Sequence, residues 1–366
     1  MVNHLGNWKN GELGDFVTLK RGFDLPQQKR EDGQVPIFSS SGITGTHSTA
    51  MVKAPGVITG RYGTIGEVFY AAKDFWPLNT TLFVEDFHGN DAKFIYYFLK
   101  TLEWSKFTSA SAVPGINRNT VHKEIVSLPD IETQRRIAST LSMFDEKIKI
   151  NTEINDNLQQ QAAALFSSLY DRSNTEVRFT DLIQILGGGT PKTGENTYWN
   201  GNIAFFTPKD VGIPYTLITE KTISKEGLSH CNSRLYPVNT VFVTARGTVG
   251  KVGMSGVPMA MNQSCYALVG KETHQLLVYF YTLKAVDRLK HKASGAVFDA
   301  ITTRDFESEQ IMKLSDDDAT AFLRVAEPMF QEVLNNNIEN LRLSTLRDSL
   351  LPKLMSGEIE VSDINL

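Results

Sequence analysis

At 366 residues the chain is too long for one ordinary core and fits two domains plus connectors. A composition that is 41% hydrophobic and 21% charged excludes a disordered or fibrous chain. The net charge of −4 argues against a uniformly basic nucleic-acid domain, although a local basic surface can hide in such a sum. No run of eighteen apolar residues occurs, so no membrane span is expected, and the polar residues 1–14 predict no signal peptide. Cys231 and Cys265 lie in one half, outside any C-x-x-C pair, and neither has a convincing second metal ligand beyond His230, the neighbour of Cys231. A reduced cytoplasm and no bound metal are expected.

In chain order, residues 57–84 are rich in Val, Ile, Phe and Thr with Gly punctuation and read as strands and tight turns. Pro129 ends this region. From Ile131 to about Tyr170 there is neither Gly nor Pro, which predicts a helix of about forty residues, roughly 60 Å long and far above the globular mean. Its apolar stripe is Leu141, Phe144, Ile148, Leu158, Ala162, Leu165 and Leu169, with Asn151 and Asn155 at the remaining seam positions. Asn in a seam costs stability but fixes register. The stripe fits an amphipathic core helix or a coiled coil, and its length favours the coiled coil. Strands and turns return over residues 240–269. A second long helix is expected from about Ala319 to Leu351, with Phe330, Val333, Leu334, Ile338 and Leu341 on one side and Pro328 bending or beginning it. The cheapest partner for each stripe is the other helix, antiparallel in the same chain.

The two halves repeat. Ile58-Thr59-Gly60-Arg61-Tyr62-Gly63-Thr64-Ile65-Gly66 matches Val243-Thr244-Ala245-Arg246-Gly247-Thr248-Val249-Gly250 when Tyr62 is treated as a one-residue gap. Asn79 then falls near Asn262, Gly115-Ile116-Asn117-Arg118 opposite Ala300-Ile301-Thr302-Thr303, and Met143-Phe144 opposite Met329-Phe330. Asp15 and Gly22 match Asp181 and Gly188 at a smaller offset, so the second copy carries about eighteen extra residues, expected between Phe206 and Tyr236.

Catalytic motifs are absent or broken. Gly189 and Gly194 have phosphate-loop spacing, but Glu195 follows where Lys is needed. Gly247-Thr248-Val249-Gly250-Lys251 lacks both the spacing and the magnesium-binding hydroxyl. Pro129-Asp130 with Asp145-Glu146-Lys147 imitates a nuclease motif, but its second cluster lies inside the long helix, where carboxylates cannot converge on a metal. Gly212-Ile213-Pro214-Tyr215 lacks the acid or amide and the second Pro of a methyltransferase base loop, and no nucleophile elbow is present. No catalytic residues are expected.

Longer stretches carry a family resemblance. Asp181-Leu182-Ile183-Gln184-Ile185-Leu186-Gly187-Gly188-Gly189-Thr190-Pro191-Lys192, Tyr198-Trp199 and Ile203-Ala204-Phe205-Phe206-Thr207-Pro208-Lys209-Asp210 look like the opening of a target recognition domain. Leu350-Leu351-Pro352-Lys353-Leu354-Met355-Ser356-Gly357-Glu358-Ile359 resembles the closing signature of type I restriction–modification DNA-specificity subunits. Ile131-Glu132-Thr133-Gln134-Arg135-Arg136-Ile137-Ala138 resembles the start of that family's spacer helix, except that Thr133 separates the Glu from the Gln.

The resemblance implies an α+β protein with two tandem α/β target recognition domains, residues 1–130 and 173–315. Two long helices, one over residues 131–172 and one that with a C-terminal tail makes up residues 316–366, would form an intramolecular antiparallel coiled coil. Each domain would read one half of a bipartite double-stranded DNA site. Two methyltransferase subunits and restriction–translocase subunits would be partners. This chain would bind no cofactor itself, with S-adenosylmethionine, ATP and magnesium used by the partners. Rival readings are a fused restriction-system enzyme and a coiled-coil scaffold that never touches DNA.

Phosphate contacts are expected from Lys20, Arg21, Lys29, Arg30 and Arg61 in the first half, and from Lys192, Lys209, Arg246 and Arg304 in the second. Ser39, Ser40, Ser41, Asn117, Arg118 and Asn119 are candidates for base readout. Residues identical in both copies cannot distinguish two half-sites. The pairs Arg61/Arg246 and Thr64/Thr248 are therefore assigned to backbone contact or to the fold, and their Arg-Gly-Thr-x-Gly string also fits a plain turn between strands.

Overall fold

The computed structural model describes residues 8–108, 114–212, 214–292 and 300–364. Part of the polar start (residues 1–7) and Ile213 of the Gly212–Tyr215 stretch lie outside them. The chain forms two compact units, one of residues 1–147 with 342–366, the other of residues 148–341. Among the described residues no helix is long and apolar enough to cross a membrane.

The first unit runs β1 (Lys9–Glu12), α1 (Leu13–Phe16), β2 (Thr18–Arg21), β3 (Val35–Ser39), β4 (Gly42–His47), β5 (Gly56–Gly60), β6 (Val68–Ala71), β7 (Trp76–Pro77), β8 (Thr81–Asp86), α2 (Ala92–Lys100), α3 (Arg118–His122) and β9 (Ile125–Leu128). It leads into α4 (Ile131–Arg172). Strands order as β2-β8-β5-β6 in one sheet and β4-β3-β7 in another. A two-stranded clasp, β1 with β9, joins the start of the unit to the residues just before α4, Lys9 opposite Leu128 and Glu12 opposite Ile125.

The alternation of a strand explains why apolar residues run consecutively through the buried parts of the central strands. Val57, Leu82 and Val84 pack with Phe94, Ile95 and Phe98 of α2. Their neighbours Ile58 and Phe83 face the other way, against Phe38 and Phe75. With both faces covered, no polar side is left to show in the sequence.

The second unit repeats the order. It contains β10 (Thr175–Arg178), α5 (Phe179–Leu182), β11 (Ile183–Gly187), β12 (Trp199–Phe206), β13 (Tyr215–Thr216), β14 (Lys221–Ile223), α6 (Lys225–Ser229), β15 (Val241–Thr244), β16 (Val252–Ser255), β17 (Met259–Met261), β18 (Cys265–Gly270), α7 (Gln275–Lys292), α8 (Thr303–Ser308) and β19 (Gln310–Lys313), then α9 (Asp316–Ser356). Its sheets are β11-β18-β15-β16-β13 and β14-β12-β17, with β10 and β19 as the clasp. Val241, Val243 and Leu268 face one core, while Phe242, Ala267 and Cys265 face the other. Among the described residues β13 and α6 have no counterpart in the first unit, and both lie between Phe206 and Tyr236.

Shared sequence landmarks have shared structural causes. Asp15 accepts from the backbone N–H of Glu12 at 3.0 Å, and Asp181 accepts from that of Arg178 at 3.3 Å, so each aspartate closes the first turn of a short helix. Gly22 and Gly188 have no room for a Cβ, which would collide with the backbone carbonyl of Leu78 or Asn262.

The long helices pair antiparallel. In the second unit Asn151 donates to Glu339 at 2.7 Å and to Asn340 at 2.9 Å. Asn155 donates to Asn337 at 3.0 Å and accepts from Asn336 at 2.9 Å. Further along α4, Arg172 meets Asp318 at 2.5 Å, so partner numbers fall as α4 numbers rise. In the first unit Arg347 pairs with Asp145, and Ile137 and Leu141 share a core with Leu351 and Leu354.

Two expectations about these helices are corrected. Of the two roles expected for Pro328, beginning the helix is excluded, because α9 runs unbroken through it from Asp316 to Ser356. Near the end of α4 the fully buried side chain is Phe166, not Leu165, which is half-buried. The buried set Ala162, Phe166, Leu169 and Tyr170 follows a wide i, i+4, i+7, i+8 stripe. This segment faces a globular core through α7, so the narrow heptad seam does not hold there. The Asn-lined middle is the part that behaves as a coiled coil. Leu141, Phe144, Leu169, Phe330, Val333 and Leu334 are buried, whereas Ile148, Leu158, Ile338 and Leu341 are half-buried.

Candidate nucleic-acid interface

In each unit one loop joins two antiparallel strands and is held by the same backbone bonds. In the first unit it joins β5 to β6. The N–H groups of Arg61 and Tyr62 both donate to the carbonyl of Thr80, at 2.8 and 3.2 Å, and Ile116 donates to the carbonyl of Arg61 at 3.0 Å. In the second unit it joins β15 to β16. There Ala245 and Arg246 donate to Ser264 at 2.8 and 3.3 Å, and Ile301 donates to Ala245 at 2.9 Å. Tyr62 bridges Gly115, and Arg246 bridges Ala300. Gly63 and Gly66 have φ of 78° and 90°, and Gly247 and Gly250 have 83° and 73°. Such angles explain why both glycines recur.

These bonds correct the alignment. Arg61 corresponds to Ala245 and Tyr62 to Arg246, with no gap. The shared arginine is a coincidence of neighbouring positions. Thr64 and Thr248 remain equivalent. The Asn79/Asn262 match is shifted as well. Leu78 and Asn262 present the carbonyls that crowd Gly22 and Gly188, so Asn79 pairs with Gln263. Asn79 donates to Asp24, and Gln263 accepts from Thr190, giving the same cross-link with different side chains.

Three first-half clusters meet at this loop. Ser39, Ser40 and Ser41 form the β3–β4 turn, where Ser39 accepts from the N–H of Ser41 at 3.2 Å and donates to the Gly42 carbonyl at 3.1 Å. Ser40 lies against Gly60 and Gly63. Asn117 caps α3 by accepting from the N–H of Asn119 at 3.0 Å, leaving Arg118 and Asn119 exposed. Arg61 is pinned, its Nε 3.4 Å from the Ile116 carbonyl and its guanidinium 4.6 Å from the Tyr62 ring centre. Thr64 is exposed.

Other candidates stand apart or are already paired. Lys20 meets Glu85 at 2.5 Å, and Arg21 meets Asp24 at 3.4 Å. Lys29 is exposed, and Arg30 reaches the Thr44 carbonyl on the β3–β4 hairpin at 3.5 Å.

The second half assembles the same way. Thr248 donates to the Pro208 carbonyl at 3.2 Å, and Pro208 sits beside Gly247 as Ser40 does beside Gly63. Next to it Lys209 pairs with Glu220 at 3.6 Å. Thr302 caps α8 through the N–H of Asp305, and Arg304 projects exposed from its first turn. Lys192 is exposed, while its carbonyl holds the Trp199 indole at 3.2 Å. A cleft of about 330 Å³ opens beside the loop, lined by Pro208, Lys209, Glu220, Lys221 and Asn262. The sequence reading did not offer Tyr62 or Gln263 as candidate interface positions, whereas an alignment without the gap sets them opposite Arg246 and Asn79.

The nuclease-like string is structural. Asp130 caps α4 by accepting from the N–H of Thr133 at 2.9 Å. Asp145, about 22 Å further along the helix axis, accepts from the Tyr97 hydroxyl at 2.5 Å. Among the described residues no group of three His, Cys, Asp or Glu is placed to hold a metal.

Two α+β modules in tandem, each followed by a long helix and each presenting the same glycine-built loop with different side chains, define a duplicated binding protein. A family model for the type I restriction modification DNA specificity domain matches residues 6–160 and 172–313, and the chain belongs to that family. The type I restriction enzyme HindI specificity subunit of Haemophilus influenzae is 24% identical over 345 residues, covering 71% of this chain and 75% of that one. The MjaIX specificity subunit of Methanocaldococcus jannaschii is 21% identical, covering 75% and 71%. The solved S subunit of a type I restriction-modification system from M. genitalium shares the fold, with a TM-score of 0.67 and 17% identity across 97% of this chain and 98% of that one.

Proposed function

We propose that this chain is the DNA-specificity subunit of a type I restriction–modification complex and that it performs no catalysis itself. Each unit reads one half of a bipartite site, and the helix pair sets the gap between halves. The observation that carries this is the duplicated loop, alike in backbone and different in side chains at Ser40/Pro208, Tyr62/Arg246 and Asn117/Thr302. Two readers of different half-sites need a constant platform with variable contacts. Readers on one face of B-DNA are spaced by about one turn, roughly 34 Å. A 42-residue helix, about 63 Å long, is ample to span that distance.

Methyltransferase subunits dock on this scaffold and use S-adenosylmethionine, while translocase–nuclease subunits use ATP and magnesium. Methylome sequencing of a host carrying the gene with its methyltransferase partner tests the reading. A bipartite methylated motif that depends on this chain is expected. A motif that persists without it refutes the proposal, and methyl transfer by the purified chain alone refutes the non-catalytic assignment.

A further inference from the structure

Tyr62 and Arg246 share one backbone frame and carry different chemistry. In the first copy the Tyr62 ring lies so close to Gly115 that a Cβ there would collide with it, and Arg61 covers the ring. In the second copy the bridge partner is Ala300, whose Cβ is incompatible with a ring in the same placement. The covering position is Ala245, which is buried. Ring, glycine and covering arginine are therefore replaced together by arginine, alanine and alanine. The coordinated exchange points to a requirement at this position beyond the fold.

Arg246 is exposed, and its guanidinium has no hydrogen-bond or ion-pair partner among the described residues. Its main chain is held by the bond to Ser264 and by the adjacent positive-φ glycine. The side chain thus springs from a fixed base with all its donors available. A guanidinium offers two parallel N–H groups that match O6 and N7 of guanine in the major groove.

We infer that 62/246 is a specificity-determining position of the duplicated platform, and that Arg246 reads a guanine in the half-site addressed by the second unit. This rests on the DNA-reading function proposed above. Tyr62, held by Arg61 and Gly115, presents no such fork, so the first half-site has no guanine requirement from this position.

The test is selection from a randomised duplex pool by the full chain in complex with its methyltransferase subunit. The wild type is compared with Arg246→Ala and with the paired transplant Tyr62→Arg, Gly115→Ala. Arg246→Ala is expected to lose preference for guanine at one position of one half-site by about 5- to 150-fold, with the other half-site unchanged. The transplant is expected to add a guanine preference in the other half-site. Should the transplant fail to fold, Arg246→Ala still decides, because an exposed arginine can be truncated without loss of folding. Uniformly weaker binding, with a salt dependence shallower by about one unit, marks a phosphate contact and overturns the inference. Selection identical to wild type overturns it too. A wild-type complex that enriches no bipartite sequence refutes the proposed function instead.

Discussion

Replacing Phe166 by Ala should destabilise the second unit far more than the same change at Leu165. The Phe166 ring stacks on Phe280 at 5.0 Å and meets Tyr281 and Phe322 at 5.5 Å and Tyr170 at 5.6 Å. Truncating a fully enclosed Phe costs about 3–5 kcal/mol, the sum of lost transfer energy and the cavity left behind. Leu165 is half-buried, so its smaller lost area gives about 1–2 kcal/mol. For a unit of this size each kcal/mol lowers Tm by about 2–4 °C. Phe166→Ala should therefore lower the transition by roughly 6–20 °C and Leu165→Ala by roughly 2–8 °C. Scanning calorimetry of the full chain resolves the two, with urea titration as a check. Equal losses, or a larger loss at Leu165, would mean that the narrow heptad seam runs to the end of α4 and that the core assignment is wrong.

The seam asparagines should be coupled. Asn155→Leu leaves the buried Asn336 amide without its acceptor and costs about 1–3 kcal/mol, whereas Asn155→Leu with Asn336→Leu should recover at least half of that. A double-mutant cycle with coupling below about 0.3 kcal/mol would refute it. His122 accepts from the Leu19 N–H through Nε2 at 2.9 Å, which requires a neutral ring. Burial, with Arg118 and His88 nearby, lowers its pKa from the ordinary 6.5. The unfolded chain then takes up the proton first, so this contribution is complete above about pH 6.5 and is lost as pH falls towards the lowered folded value. Wild type should lose more stability than His122→Asn between about pH 7.5 and pH 5.5, and a smaller loss in wild type would reverse the sign. Burial also pushes the Cys265 thiol up to about 12, while Cys231 is half-buried. A chromogenic disulfide reagent at mildly alkaline pH should titrate one thiol rapidly in the native chain and two in denaturant. Fast reaction of both thiols in the native chain would contradict the burial.

What was legible in the sequence depended on periodicity and on backbone necessity. Glycine spacing marked the recurring loop because its φ values strongly favour glycine over other residues. A forty-residue stretch free of Gly and Pro marked α4. What failed depended on side-chain identity. The arginine common to Arg61 and Arg246 drew a gap at Tyr62, although the carbonyls of Thr80 and Ser264 fix positions through N–H groups that any residue except proline supplies. Phe166 escaped because a 3.5-residue rhythm and a 3.6-residue face diverge by one position over several turns. Pro328 looked like a boundary because a missing N–H usually ends a helix, yet α9 continues through it between the buried Ala326 and Phe330.

The clasp strands have one more consequence. Lys9 lies opposite Leu128 and Glu12 opposite Ile125, while Thr175 lies opposite Lys313 and Arg178 opposite Gln310. Between copies the offset grows from 166 residues at the first strand of the clasp to 185 at the second, yet the register is the same. The chain enters and leaves each module at one gate, immediately before a long helix. Closing a longer loop costs only about 0.1 kcal/mol for such a change in length. Whatever is inserted between the gateposts is mechanically silent to the helix, and the recognition surface is free to vary in length while the ruler stays still.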